Sequence, residues 1–147
     1  MNIRKANIHD IEQLSVLFDA YRIFYEKTSD VEKAKQFLSD RIINNESEIF
    51  VAENDSKELT GFVQLYPLFS STRMKLLWLL NDLFVRPEVR GKGISVALIE
   101  KAKELCRNSY SCGMMLETAK SNIVGNNLYP RTGFELDVEH NYYSWNI

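Results

Sequence analysis

Cysteine, histidine and proline are scarce in this chain: two, two and three residues among 147. Cys106 and Cys112 have only the distant His9 and His140 to help them, which is no metal-ligand spacing, so no metal is expected. One disulfide is conceivable. With no secretory leader in the opening MNIRKANIHD, reduced and packed thiols are the expectation, and the cytoplasm the default location. Long apolar runs are also missing. Leu76 to Leu80 is the longest, far short of the ~20 residues that a spanning helix requires. Nor is there an excess of positive charge. Lys and Arg number 18 against 20 Asp and Glu, a formal charge of −2, which speaks against a general nucleic-acid binder and suits a cationic small molecule better. Repeats, linkers and low-complexity segments are not seen.

What is present is ordinary for a folded globular protein: 45% apolar and 26% charged residues, enough to bury one core. Residues 1–147 are therefore expected to form one domain. Asn2 to Lys5 reads as a first strand, with Asn7 and Asp10 as helix cap and first-turn acid. Ile11, Leu14, Phe18, Tyr21 and Tyr25 recur at steps of three and four on one helix face. Ser29 and Glu32 form a capping-box pattern ahead of a second helical stripe, Val31, Ala34, Phe37, Leu38 and Ile42. Both helices can pack a core or wall a substrate site.

Glu48 to Glu53 and Leu59 to Tyr66, joined through Asn54-Asp55-Ser56, predict a β-hairpin, and Gly61 within it predicts a bulge or a close backbone approach. A loop at Phe69-Ser70-Ser71 precedes a strand from Leu76. A helix from Lys92 or Gly93 to Arg107 follows, with Ile94, Leu98, Ala102 and Leu105 inward. Met114 to Thr118 reads as a strand. Ser121 and Asn122 can cap a helix stopping near Tyr129, because Pro130 biases its predecessor out of the helical region. Gly133 closes the turn. Two further strands are expected near 134–137 and 141–146. This order calls for a mixed sheet with helices on both faces.

The chain is organised around LLWLLNDLFVRPEVRGKGIS, Leu76 to Ser95. An apolar strand is interrupted by Asn81-Asp82, breaks at Pro87, and enters a turn in which Arg86, Arg90 and Lys92 surround Gly91 and Gly93 before a helix begins. Unpaired N–H groups and the helix dipole there both favour an anion such as a phosphate, and glycine permits close approach. Neither nucleotide fingerprint fits. A Walker loop needs wider glycine spacing, and a dinucleotide turn needs a third glycine where Val96 stands. A charged loop ahead of a helix is the plainer alternative.

Val85 to Ile94, entered at Arg90, resembles motif A of the GNAT superfamily of N-acetyltransferases, Arg/Gln-x-x-Gly-x-Gly/Ala. Asn122, Leu128-Tyr129 and Gly133-Phe134 resemble that family's later signature at the usual spacing. The Leu80 to Val85 strand also resembles the branch that acetylates polyamines and other small amines. The resemblance implies an α/β (α+β) GNAT fold, with a mixed sheet of six to seven strands and about four helices. Acetyl-CoA is implied as cosubstrate, in a V-shaped opening between the strand ending at Val85 and the strand near Met115. Its pyrophosphate would take N–H groups of Arg90, Gly91, Lys92, Gly93, Ile94 and Ser95, and its pantetheine arm would pair with Leu83, Phe84 and Val85, as strand augmentation does. Asn122 would hold the same arm. Ser95 departs from the motif's Gly or Ala, adding little bulk and a hydroxyl that can itself bond a phosphate oxygen.

Tyr129 falls where the family places its general acid. A phenol of pKa ~10 can protonate a departing thiolate; packing beneath the last strands is the alternative. The attacking amine must be neutral, so something accepts its proton. The polyamine-acetylating relatives have a glutamate where this chain has Asn81, and asparagine cannot be a base. Strand alternation sends Asn81 and Asp82 to opposite faces unless a bulge intervenes, and Asp82 is favoured as a ligand for substrate or water rather than as the base itself. A buried carboxylate satisfied by its neighbours is equally compatible. Tyr142-Tyr143-Ser144-Trp145 would suit a dimer surface, since relatives often dimerise through terminal strands. The expected activity is acetyl transfer to a primary amine of a small molecule by direct attack in a ternary complex. The alternatives are a protein or peptide N-acetyltransferase and a non-catalytic CoA-binding module, which a missing acid or a blocked acceptor site would favour.

Overall fold

A computed structural model describes all of residues 1–147. The elements in chain order are β1 (Asn2–Lys5), α1 (Ile11–Phe24), α2 (Val31–Ile43), β2 (Glu48–Glu53), β3 (Leu59–Ser70), β4 (Lys75–Val85), α3 (Ile94–Asn108), β5 (Met114–Met115) and α4 (Ile123–Arg131). Two compact units contain them, Met1–Glu117 and Thr118–Ile147. No helix is long and apolar enough to cross a membrane.

The larger unit holds a five-stranded sheet in the order β1-β2-β3-β4-β5, antiparallel except for the parallel pair β4 and β5. The mixed α/β class is as expected; the strand count is five rather than six to seven. Leu14, Leu17, Phe18, Ala34 and Leu38 from the first two helices meet Val51, Leu59, Phe62 and Phe84 of the sheet in one buried cluster. Each large apolar side chain so buried stabilises the fold by roughly 1.5–3 kcal/mol.

Asn7 and Asp10 do start a helix. They close a reciprocal capping box over a single 3-10 turn, Ile8–Asp10, from which α1 runs on. The second cap differs from the expected Ser29 and Glu32 pair. Asp30 accepts from the Lys33 N–H at 3.0 Å, while Ser29 turns its hydroxyl to Asp19 at 2.7 Å. The carboxylate one residue later is the stronger acceptor for the orphan N–H groups.

Strand β3 continues through the expected loop at Phe69 and Ser70, because the β3–β4 ladder extends out to Ser70 opposite Lys75. Gly61 combines both readings of its sequence position. The β2–β3 register shifts beside it, and an added Cβ would stand 2.8 Å from the Phe84 carbonyl oxygen.

In the smaller unit α4 runs past Tyr129 to include Pro130 and Arg131. A proline in the last turn gives up a single N–H. The Thr132 and Gly133 N–H groups close the end on the Leu128 and Pro130 carbonyls, each at 3.0 Å. The strands expected near 134–137 and 141–146 are absent. Within these stretches Leu136, Tyr143 and Trp145 face outward, all more than four-fifths exposed. Alternation supplied a strand-like pattern, but a strand needs a ladder partner, and this segment has none in its own chain.

Candidate functional site

Four residues, Arg86 to Val89, separate Val85 at the end of β4 from Arg90, and the turn between them is tightly organised. A 3-10 turn, Pro87–Val89, follows Arg86. The Arg90 side chain folds back on it: Nε donates to the Val85 carbonyl at 2.9 Å, and the guanidinium lies 5.6 Å from the Phe84 ring and 6.0 Å from that of Phe24. The Arg90 N–H is also used internally, by the Pro87 carbonyl at 3.3 Å. From Gly91 to Val96 the backbone N–H groups have no backbone acceptor, and the next, Ala97, begins the helical ladder on the Gly93 carbonyl. Gly91 and Gly93 take φ values of +78° and +79°, and a Cβ added at either would meet nothing within 4 Å. Glycine there meets a backbone requirement and leaves the donors open in front. Lys92 is exposed; Ile94 anchors the helix start in the core, and Ser95 is half-buried beside it.

Strand β4 supplies the second element. Strand β5 pairs with it only at Trp78 and Leu79, so from Leu80 through Leu83, Phe84 and Val85 the β5-facing edge of β4 has no ladder partner. An extended arm carrying amide groups can add there as a further strand. Orphan N–H groups, two open-faced glycines and a free strand edge are what the phosphates and amide arm of a CoA need, so the residues of this chain fit that group.

The third element sits within the strand. The β3–β4 register pairs Gln64 with Asp82 and Leu65 with Leu80, leaving Asn81 as the extra residue of a bulge. Asn81 is exposed, whereas Asp82 is buried in line with Trp78, Leu80 and Phe84. The bulge leaves the two side chains of the polar pair within hydrogen-bond reach of each other, with Asn81 exposed and Asp82 buried.

Burial pushes the Asp82 carboxyl above the usual carboxylate range, while hydrogen bonds from Gln64, Tyr21 and Asn81 pull it back. Gln64 Nε2 donates to Oδ2 at 2.6 Å and Asn81 Nδ2 to Oδ1 at 3.1 Å. The Tyr21 hydroxyl stands between that carboxylate and the Asn81 carbonyl, 3.3 Å away. No cationic side chain pairs with Asp82. Tyr66 lies close by, its phenol pushed up to about 12 by burial and by the Asp82 charge. Tyr21 packs on Tyr25 and Phe62, with ring centroids 5.0 and 6.0 Å away. A neutral amine, or an ammonium that must lose a proton, finds here an acceptor and rings.

The smaller unit places the other two candidates on α4. Asn122 is its N-cap: Oδ1 accepts from the Gly125 N–H at 3.1 Å, and Nδ2 donates to Thr118 Oγ1 at 2.9 Å. Tyr129 is half-buried, its ring edge-on to Phe134 at 5.7 Å.

Sequence reasoning passed over Gln64 and Ser47. The signal was available: one long polar side chain inside the apolar run Phe62-Val63-Gln64-Leu65 must find partners if buried, and Gln64 is wholly buried.

A strand pair that stops at Leu79, an orphan-donor helix start and a buried carboxylate on β4 are in keeping with an acyltransferase. A family model of the acetyltransferase (GNAT) family matches residues 12–134, and the chain belongs to that family. It is 40% identical over 147 residues to an uncharacterized N-acetyltransferase of Bacillus subtilis, YhfO, covering all of this chain and 98% of that one. It is 34% identical over 137 residues to a probable acetyltransferase of Haemophilus influenzae, covering 93% and 92%. The crystal structure of a probable acetyltransferase, 36% identical, superposes over all of this chain and 98% of that one with a TM-score of 0.95.

Proposed function

We propose that the enzyme transfers acetyl from acetyl-CoA to a primary amine of a small molecule, by direct attack in a ternary complex and without a metal, in the cytoplasm. The observation that carries this reading is Asp82: a buried carboxylate with no cationic partner, ringed by Tyr21 and Tyr66, on the strand whose free edge leads into the phosphate turn. Acetyl-CoA, when bound, supplies the acetyl group as a thioester.

The N–H groups from Gly91 to Ser95, with Arg90 closing the turn behind them, hold its phosphates. The Leu83 to Val85 edge and the Asn122 amide hold its pantetheine arm. Asp82 takes the amine's proton, directly or through a water, and Tyr129 supplies a proton to the departing sulfur. The role of Tyr129 and that of Asn122 rest on the family's motif. The slight negative balance of the chain favours an aminated or polycationic acceptor. Exposed rings at Tyr142, Tyr143 and Trp145 support pairing of two copies through this run.

The test is thiol release from acetyl-CoA across polyamines, amino acids, aminoglycosides and peptides, with Tyr129→Phe alongside. A small amine should drive release, and Tyr129→Phe should lower turnover far more than acetyl-CoA affinity. Faster turnover on peptides would move the acceptor class to protein or peptide amines, equal turnover of the variant would remove the acid, and absence of CoA binding would falsify the whole reading.

A further inference from the structure

Behind Asp82 lies a polar ladder that no step of the transfer uses. Ser47 Oγ donates to Gln64 Oε1 at 2.8 Å, and Gln64 Nε2 donates to Asp82 Oδ2 at 2.6 Å. All three side chains are at least nine-tenths buried, Gln64 completely. A glutamine in such a place is tolerated only if its amide is satisfied at both ends, since an orphaned buried polar atom costs about 1–3 kcal/mol.

The amide has two faces and the serine two roles. With Nε2 toward Asp82, Gln64 matches a carboxylate, and its Oε1 accepts from Ser47. Turned over, Oε1 would face Asp82 and accept from a protonated carboxyl, while Nε2 would donate to the same serine oxygen. Every buried atom keeps a partner in both arrangements. A leucine at this position would serve neither, and a lysine only the anion.

We propose that Gln64, backed by Ser47, is a positioning residue that lets Asp82 take up and release a proton without orphaning a buried group, its amide turning over as the proton arrives. This rests on Asp82 being the proton acceptor of the proposed transfer. One N–H bond of the bound ammonium breaks, its proton goes to a carboxylate oxygen of Asp82, and the neutral amine nitrogen keeps the electron pair that attacks. The carboxyl must afterwards lose that proton, and the ladder serves both halves of the cycle.

Other groups around the carboxyl are few. Tyr21 faces it from α1 and Tyr66 from β3; Arg41 on α2 lies near Tyr66 and is paired at 2.6 Å with Glu46 in the loop before β2. Strand β5 and helix α3 contribute none.

The full-length enzyme tests this by NMR and by kinetics. The carboxyl carbon of Asp82 and the side-chain NH2 of Gln64 are followed through a pH titration of the free protein, and kcat/KM is followed over the same range. In wild type the Gln64 NH2 signal should move with the midpoint of Asp82. In Gln64→Leu the charged form loses a donor, so that midpoint and the acid limb of kcat/KM should both rise by roughly one unit, a tenfold change in proton affinity. Ser47→Ala orphans one amide atom in either orientation, so it should lower the melting temperature while leaving the limb near its wild-type position.

A Gln64 signal indifferent to Asp82, or a Gln64→Leu profile lowered uniformly with its limb in place, overturns the proposal. If the leucine variant does not fold, Gln64→Met and the wild-type titration decide the matter alone. Asp82→Asn separates the two levels. Full activity in that variant removes Asp82 as the proton acceptor, whereas loss of activity with an unmoved Gln64→Leu limb removes only the ladder.

Discussion

Gly61 has no room for a side chain. A Cβ there would meet the Phe84 carbonyl at 2.8 Å and Val85 Cγ2 at 3.1 Å, both on the strand that carries the site. Gly61→Ala should therefore destabilise the fold by about 1–3 kcal/mol, read as a lowered midpoint of urea unfolding; a midpoint equal to wild type would mean that β4 yields at no cost. That a glycine inside an apolar strand marks a bulge or close approach could be read from residue type alone. Asn81 and Asp82 were half legible. The pair was visible as polar in an apolar strand, but which of the two turned inward depended on a bulge against β3, and a register is a property of two strands at once. Gln64 shows the same limit, since its partner Asp82 is 18 residues away in sequence.

Helix α3 is the element whose start does the most. Its N-cap is Gly93 in the left-handed region, with no side-chain cap bond, so the first-turn donors stay uncommitted instead of being closed by Ser, Asp or Asn. Gly93→Ala should weaken acetyl-CoA binding at least about tenfold by calorimetry, because the methyl enters the open face and the backbone resists φ above zero. Unchanged affinity would place the phosphates elsewhere. This element was readable from a strand, a glycine-bearing basic turn and a new helical period in succession. Pairing-dependent boundaries were not. Strand β3 ran longer than its turn residues indicated, α4 absorbed Pro130 in its last turn, and the alternating run after Phe134 formed no strand for want of a partner.

At the scale of the molecule, acid stability has an identifiable seat. Arg4 on β1 makes two bonds to Asp10, at 2.8 and 2.9 Å, and two to Glu53 of β2, at 2.7 and 3.1 Å. These join the first strand, the entry to α1 and the second strand. The Arg4 guanidinium holds both carboxyls below the usual carboxylate range. Groups with depressed folded values stabilise fully above their unfolded pKa, near 4, and lose that contribution as pH falls through the folded value. The melting temperature should hold down to about pH 5 and fall below about pH 4, and Asp10→Asn should flatten the fall; an unaltered acid profile in that variant would assign the sensitivity to other groups. The class of fold was legible at this scale from element order, while the Arg4 cluster was not, because it joins residues up to 49 positions apart. The free edge of β4 from Leu80 to Val85 has a further consequence, in the life of the protein before it meets a ligand. An open edge is a template for strands of other chains. On the proposed function, acetyl-CoA lying along this edge would shield it as well as react, so starvation for acetyl-CoA should thin the cellular pool of this enzyme through aggregation and proteolysis before it limits the chemistry.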